Sequence, residues 1–409
     1  MKGSHKLSDK FDFTIFFSTM LLITIGLLGI FSATNNNPTA QGAFQKQFIM
    51  ALVALVIFFI TYFLPARLYK SLATPSYILS IIILIAVLLM GHTVYGAKSW
   101  INLGPIGFQP SEFAKIGFIF MLSYLLTGER RNPNNIKDFL VLMFYSFIPI
   151  ILILIEPDMG TVIVYLFILI AMLFWSGIDL FYVFVTLSPV VVLFASFFGI
   201  AAFLLAMIIV FALLLYFKRN IFINISIVIM NMAGAYLFDY AFQFLKPHQQ
   251  KRIETFINPT SDPLGAGYNI LQAQLAIGSG GIWGKGFLKG NQTQLSFIPK
   301  QWTDFIFSVP GEEFGFIGSV LIVLLFTIIF IRLLNIASQI NDKFESLVVV
   351  GVLTLLLTHF TINIGMNLGV APVVGIPLPF LSYGGSSLII NMFLLGVALN
   401  FYKNRREHT

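Results

Sequence analysis

Asp304 is the carboxylate whose surroundings best suit it to chemistry. It follows Gln301, Trp302 and Thr303 at the end of a polar, glycine-rich stretch, 258–303, where the chain turns apolar again. A carboxylate at a membrane boundary is costly to keep, which makes it a candidate functional group. The residues alone leave open whether it takes part in catalysis or contacts a substrate. The competing expectation is a first-turn acid that complements a helix dipole, with Thr303 as N-cap. Glu312 and Glu313 follow in the same expected helix, beyond Pro310, which should kink it. A structural role, with one of them paired to a basic group, is the favoured expectation for these two.

Two further acidic sites lie earlier. Glu112 and Lys115 follow Pro110-Ser111 and are three residues apart, so they share a helix face, with Ser111 the expected N-cap. They read either as a mutually neutralised pair or as substrate contacts. Asp158, within Glu156-Pro157-Asp158-Met159-Gly160-Thr161, sits in a tight turn whose ordinary use for an aspartate is turn chemistry. The run Gly278-Ser279-Gly280-Gly281-Ile282-Trp283-Gly284-Lys285-Gly286 invites a phosphate-loop reading, which fails. A Walker loop needs glycine where Ser279 stands and Ser or Thr where Gly286 stands, and Trp283 occupies the third glycine of the dinucleotide pattern. What remains is a flexible loop, or backbone amides that join Lys285 and Lys289 in contacting an anion such as a pyrophosphate. Late in the chain, three prolines within 372–379 rule out a regular helix. Irregular backbone at membrane depth survives only when buried or lining a cavity, so this reads as a re-entrant loop, with Ser382 after it a candidate substrate contact. The chain has no Cys and only 5 His, none at metal-ligand spacing.

The elements that position these groups are membrane spans. The chain is 58% hydrophobic and 10% charged over 409 residues, against roughly 25% charged in a soluble domain. About 20 apolar residues cross the bilayer, and the apolar runs predict an all-α, polytopic helical bundle of twelve spans within one domain, 1–409. The first run, after a basic opening, is too long for a signal-peptide core and reads as a retained span. The tract 180–217 is twice one span and divides near 198–201 into a helix pair. With the N-terminus inside, Arg67, Lys70, Lys137, Lys218, Arg219, Arg332, Lys343 and Lys403 all fall on the inner side, as the positive-inside rule requires, with Lys98 and the long loop around Lys246–Lys300 the exceptions. The net charge of +7 is therefore topology and no nucleic-acid footprint. The long loop 245–303, with Lys285, Lys289 and Arg252, faces outward.

Several ordered motifs together resemble the shape, elongation, division and sporulation (SEDS) family, whose members include RodA, FtsW and SpoVE. They are 262–268 (Asp-Pro-Leu-Gly-Ala-Gly-Tyr), 276–281, 284–286, Thr303-Asp304-Phe305-Ile306-Phe307, Glu312-Glu313 and 372–379. Phe108-Gln109-Pro110-Ser111-Glu112 with Lys115, and 157–161, match earlier in the chain, and 291–295 resembles the RodA type more than the FtsW type. The resemblance covers nearly the whole chain. It implies a glycosyltransferase of the bacterial cytoplasmic membrane that polymerises lipid II on the outer face during elongation and shape maintenance. Both chain termini would then be cytoplasmic. The family's essential aspartate falls on Asp304, and its intramembrane Glu and Lys fall on Glu112 and Lys115. Lipid II carries a pyrophosphate that needs cations or amides, and Lys285, Lys289 and Arg252 are the candidates, with Asp158 a further substrate contact. The implied partners are a class B penicillin-binding protein transpeptidase and other elongation-complex membrane proteins, with no nucleic acid. No cofactor is required, since the departing undecaprenyl pyrophosphate drives the reaction; a divalent cation, Mg or Mn, is the one optional addition. Departures include Ser99 where arginine is usual, Trp302 where histidine is usual, and twelve spans where ten are usual. A lipid II flippase, with Glu112, Lys115 and Asp158 as coupling groups, a non-catalytic scaffold and a division-type polymerase are the rival readings.

Overall fold

In a computed structural model the described residues are 10–94, 97–103, 106–128, 134–196, 199–244, 250 and 266–405. Twelve long helices dominate them: α1 (Phe13–Asn35), α2 (Ala43–Phe63), α4 (Ala73–Met90), α5 (Pro110–Thr127), α6 (Ile136–Ile155), α7 (Met159–Trp175), α8 (Leu180–Ser196), α9 (Ile200–Phe217), α10 (Ile221–Phe244), α14 (Gly315–Gln339), α15 (Lys343–Asn367) and α16 (Gly385–Asn404). Short helices fill the connections: α3 (Ala66–Ser71), α11 (Ala266–Ser279), α12 (Asn291–Gln294) and α13 (Ser308–Glu313). Eight of the long helices are at once long and apolar enough to span a bilayer. The others are α7, α8 and α10, whose apolar runs are shorter, and α5, which carries Glu112 and Lys115. The expected twelve-helix bundle is thus observed. The 180–217 tract does form two helices, broken at Gly199, whose φ of +99° suits glycine.

Contacts between distant loops show that the chain alternates between two ends. At one end Asn36 Nδ2 donates to Gln294 Oε1 at 2.8 Å, Gln109 Nε2 to Asp158 Oδ2 at 3.2 Å, and Ser386 Oγ to the Gly107 carbonyl at 3.0 Å. At the other, Arg332 binds Asp12, Trp175 Nε1 donates to Ser346 Oγ at 2.9 Å, and Arg219 pairs with Asp179. Arg67 and Lys403, which line one cavity, lie with Arg219 and Arg332 at this second end, while Lys98 lies at the first, so the alternation read from charge is that of the fold with one exception.

The most buried of the long helices are α5, α15 and α16, while α2 and α9 turn Phe48, Leu52, Val56, Leu205 and Ile208 outward toward lipid. Without a hydrophobic force between helices in lipid, close approach through small residues supplies the packing. A Cβ on Gly396 of α16 would lie 2.7 Å from the Phe58 carbonyl of α2. One on Gly117 of α5 would lie 2.7 Å from the Ser76 carbonyl of α4. Between α4 and α5 a three-stranded antiparallel sheet, β1 (His92–Val94), β2 (Ala97–Leu103) and β3 (Ile106–Phe108), pairs in order β1-β2-β3.

One span differs from expectation, and the difference relocates Asp304. The helix expected from residue 305 does not begin there. Residues 301–307 are turns and a bend, α13 is a six-residue helix, and α14 begins only at Gly315. Pro310 is not the cause, because it sits in the first turn, where its missing N–H had no partner to lose. The break comes at Gly315, with φ +64°, where the glycine-rich segment docks edge-on against the chain. Lys285 N donates to the Glu312 carbonyl at 3.0 Å, Gly286 N to Glu313 O at 2.9 Å, and Phe316 N to Gly281 O at 2.8 Å. The glycines exist for this approach: a Cβ on Gly284, itself at φ +79°, would lie 2.6 Å from Phe314 Cα. The segment is therefore a clasp, and its Lys285 and Gly286 amides are bonded to carbonyls rather than open to an anion. Gly284→Ala should cost about 1–3 kcal/mol through strain and overpacking, read as a lower thermal midpoint of the purified protein.

Candidate functional site

Asp304 lies half-buried on the 301–307 turn, at the end of the bundle shared by Asp158 and the proline loop. The turn is fixed through its backbone. Asn363 Nδ2 donates to the Asp304 carbonyl at 2.8 Å and to the Ile376 carbonyl at 2.7 Å; Asn367 Nδ2 donates to the same Asp304 carbonyl at 3.1 Å. The Tyr383 amide donates to the Trp302 carbonyl at 2.9 Å. Thr303 is no N-cap, since its hydroxyl donates back to Lys300 O at 2.9 Å. The carboxylate comes close to Gly375, whose added Cβ would be 3.5 Å from Asp304 Oδ2, an ordinary contact; its φ of +74° is what favours glycine there.

The proline loop, residues 368–384, is the hub of this end. It is irregular, as its prolines required, with Val373, Ile376 and residues 378–382 buried, and satisfies its backbone through side chains. Beyond Asn363, His359 Nδ1 lies 3.1 Å from the Pro377 carbonyl, and Ser382 Oγ accepts from Leu378 N at 2.8 Å. Gln47 of α2 donates to Ser382 O at 3.3 Å and accepts from Gly384 N at 3.1 Å. Ser382 is 6% exposed and shapes the loop. Gly160, at the start of α7, packs so closely that a Cβ would be 2.7 Å from Val374 O.

Glu112 and Lys115 do share a face of α5, with Nζ 2.5 Å from Oε1, and both are buried. Lys115 Nζ is also 3.1 Å from His359 Nε2. Ser111 does not cap the helix: Gln109 holds the N-cap position, and Pro110 occupies the first turn. Asp158 is the N-cap of α7, accepting from Thr161 N at 3.1 Å and Thr161 Oγ1 at 2.8 Å, and from Gln109. Beside it, burial first and the Asp158 charge second push the Glu156 carboxyl up to about 8, so it carries a proton at neutral pH.

Lys285 pairs with Glu112's counterpart in the clasp, Glu312, at 2.8 Å. Glu312 is fully buried and also accepts from Gln292 N at 3.0 Å, Thr293 N at 2.9 Å and Thr293 Oγ1 at 2.8 Å. Burial alone would raise its carboxyl, but the Lys285 and backbone hydrogen bonds outweigh that and hold it below the ordinary range. Glu313 goes the other way: burial prevails over its bonds from Ser32, Gln294 and the Leu288 amide and raises it. Lys289 is exposed, and Arg252 lies outside the described residues. Among the described residues no group of three or more His, Asp or Glu side chains is placed to hold a metal ion.

Reading residues one by one missed His359, Asn363 and Asn367, which anchor the site. Their spacing of four places all three on one stripe of α15, and three polar residues in register along an apolar span was the available signal.

The chain matches the family model described as "Cell cycle protein" for FtsW, RodA and SpoVE, over residues 13–206 and 182–407. It is 34% identical to a peptidoglycan glycosyltransferase RodA of Treponema pallidum (strain Nichols), covering 96% of this chain and 97% of that protein. It is also 34% identical to the peptidoglycan glycosyltransferase MrdB of Escherichia coli (strain K12), covering 95% and 94%. Its fold is similar to a chain in a structure on the coordination of polymerization and crosslinking by a peptidoglycan synthase complex. There the TM-score is 0.71 at 28% identity, over 97% of this chain and 99% of that one. A crystal structure of the rod shape determining protein RodA of Thermus thermophilus, in a mutant form, gives 0.65 at 25%, over 97% and 98%. With the family model spanning nearly every helix of the bundle, this chain belongs to the FtsW/RodA/SpoVE family of polytopic membrane proteins.

Proposed function

We propose that the protein is a RodA-type peptidoglycan glycosyltransferase that polymerises lipid II at the outer face of the bacterial cytoplasmic membrane, with Asp304 as general base. The observation that carries this is the placement of Asp304. It is a half-buried carboxylate on a turn whose backbone carbonyl is held by two asparagines, beside a glycine that leaves room at its oxygen. Such fixing of a reacting group is what makes proton transfer efficient. In the reaction Asp304 takes the proton of the acceptor GlcNAc 4-hydroxyl, and that oxygen bonds to the donor MurNAc C1 with inversion. The bond from C1 to undecaprenyl pyrophosphate breaks, and the leaving group departs with the electron pair. Lys289, the outward protons of Lys285, and Arg252 are the proposed pyrophosphate contacts, and a divalent ion, if used, would rely on the substrate's own oxygens.

The end of the bundle holding Asp304 faces outward in this reading, with both termini cytoplasmic, because the basic short loops lie at the opposite end. The partner is a class B penicillin-binding protein transpeptidase, a reading supported by the similarity to a chain of a peptidoglycan synthase complex. The test is purified protein with that partner, given lipid II. Glycan polymer on a gel is expected; movement of lipid II across vesicles without polymer would overturn the reading in favour of a flippase.

A further inference from the structure

One side chain of α15 touches both the buried pair on α5 and the proline loop that lies against the Asp304 turn. His359 is 2% exposed and lies between Lys115 Nζ, 3.1 Å from its Nε2, and the Pro377 carbonyl, 3.1 Å from its Nδ1. The chemistry of the neighbours fixes its tautomer. An ammonium has three donors and no lone pair, so Nε2 must accept; a carbonyl only accepts, so Nδ1 must carry the proton. Glu112 Oε1, at 2.5 Å from Nζ, pairs with Lys115 and aims it. One turn further along the same stripe Asn363 holds Ile376 O and Asp304 O together. The loop residues 375–377 thus hang from His359 and Asn363 while Gly375 faces the Asp304 carboxylate.

We propose that His359 is a positioning residue for polymerisation: the Glu112–Lys115 pair locks its tautomer, and its Nδ1–H holds the Pro377 carbonyl so that Gly375 stays registered against Asp304. The proposal rests on Asp304 being the base. It gives the buried pair a role that needs no contact with substrate, in keeping with exposures of 3% for Glu112 and 1% for Lys115. A loop shifted by about 1 Å would misplace the acceptor hydroxyl and cost on the order of a hundredfold in turnover.

The experiment compares His359→Leu and His359→Asn in the polymerisation assay with the partner present. Asparagine places an amide N–H where Nδ1–H was, without needing Lys115 to fix its form; leucine offers no donor. The expected result is a fall in kcat of about ten- to a hundredfold for His359→Leu with KM for lipid II unchanged, and recovery to within about threefold of wild type for His359→Asn. Added to Asp304→Asn, His359→Leu should cause no further loss, because it acts through that carboxylate. Equal losses in the leucine and asparagine variants, or a change confined to KM, would overturn the proposal. Nitrogen-15 NMR of wild-type protein tests it without any variant: protonated Nδ1 and bare Nε2 are expected at His359, and the reverse tautomer sinks it. If Asp304→Asn itself polymerises normally, the base assignment has failed, and that result is read separately from the tautomer.

Discussion

Asp304→Asn is expected to lower lipid II polymerisation by about 10²–10⁴-fold, the usual contribution of a general base, while leaving the thermal midpoint within a degree or so of wild type. The two halves of this expectation come from different atoms. The Asn363 and Asn367 amides hold the Asp304 backbone carbonyl, which asparagine retains, so the turn should keep its shape. What asparagine loses is the lone-pair basicity of the carboxylate. Asp304→Glu should recover little, because the extra methylene moves the carboxylate by about 1 Å from the place the turn gives it, which is enough to cost on the order of a hundredfold. The measurement is initial polymerisation rate against lipid II concentration, with melting followed on the same samples. A mutant that polymerises at the wild-type rate would remove Asp304 from the mechanism, and one that melts early would make its role structural.

The second large effect belongs to Glu312→Ala. Four donors converge on this fully buried carboxylate: Lys285 Nζ, the Gln292 and Thr293 amides and the Thr293 hydroxyl. Removing it strands a half-buried ammonium and buried N–H groups, and breaking such a pair from one side costs about 3–5 kcal/mol. Lys285→Met should cost less, because Glu312 keeps its other donors, and the double variant should be less damaged than the two single losses summed. Activity should fall in step, since α13 joins the clasp directly to the Asp304 turn. Because the Glu312 carboxyl is held below its ordinary value of 4.5 in the folded protein, its contribution is fully present above that value. It is lost as pH falls below it, and Glu312→Ala should flatten that acid limb of the stability profile. A Glu312→Ala protein as stable as wild type would show that the clasp is ornamental.

What the sequence determined by itself was governed by local composition. Runs of about 20 apolar residues cannot be anything but helices in lipid, so the twelve helices and their parity were legible, down to the split of the 180–217 tract. The i,i+3 spacing of Glu112 and Lys115 dictated their pairing for the same local reason. The three prolines of 372–379 excluded helix there without reference to anything distant. The start of α14 was not legible, because apolar sequence from 305 onward looks like one span. What stops it is the 281–286 backbone bonding to 312–317, a contact between segments that only the fold brings together. That run looked like an anion cradle, and its Lys285 and Gly286 amides are spent on the carbonyls of Glu312 and Glu313. Asp304 could be singled out from its neighbours in sequence. That it rests on two asparagines 59 and 63 positions away, beside a glycine of the proline loop, is set by tertiary packing alone. Hydrogen bonds between remote carbonyls and side chains leave no periodic trace in a single sequence.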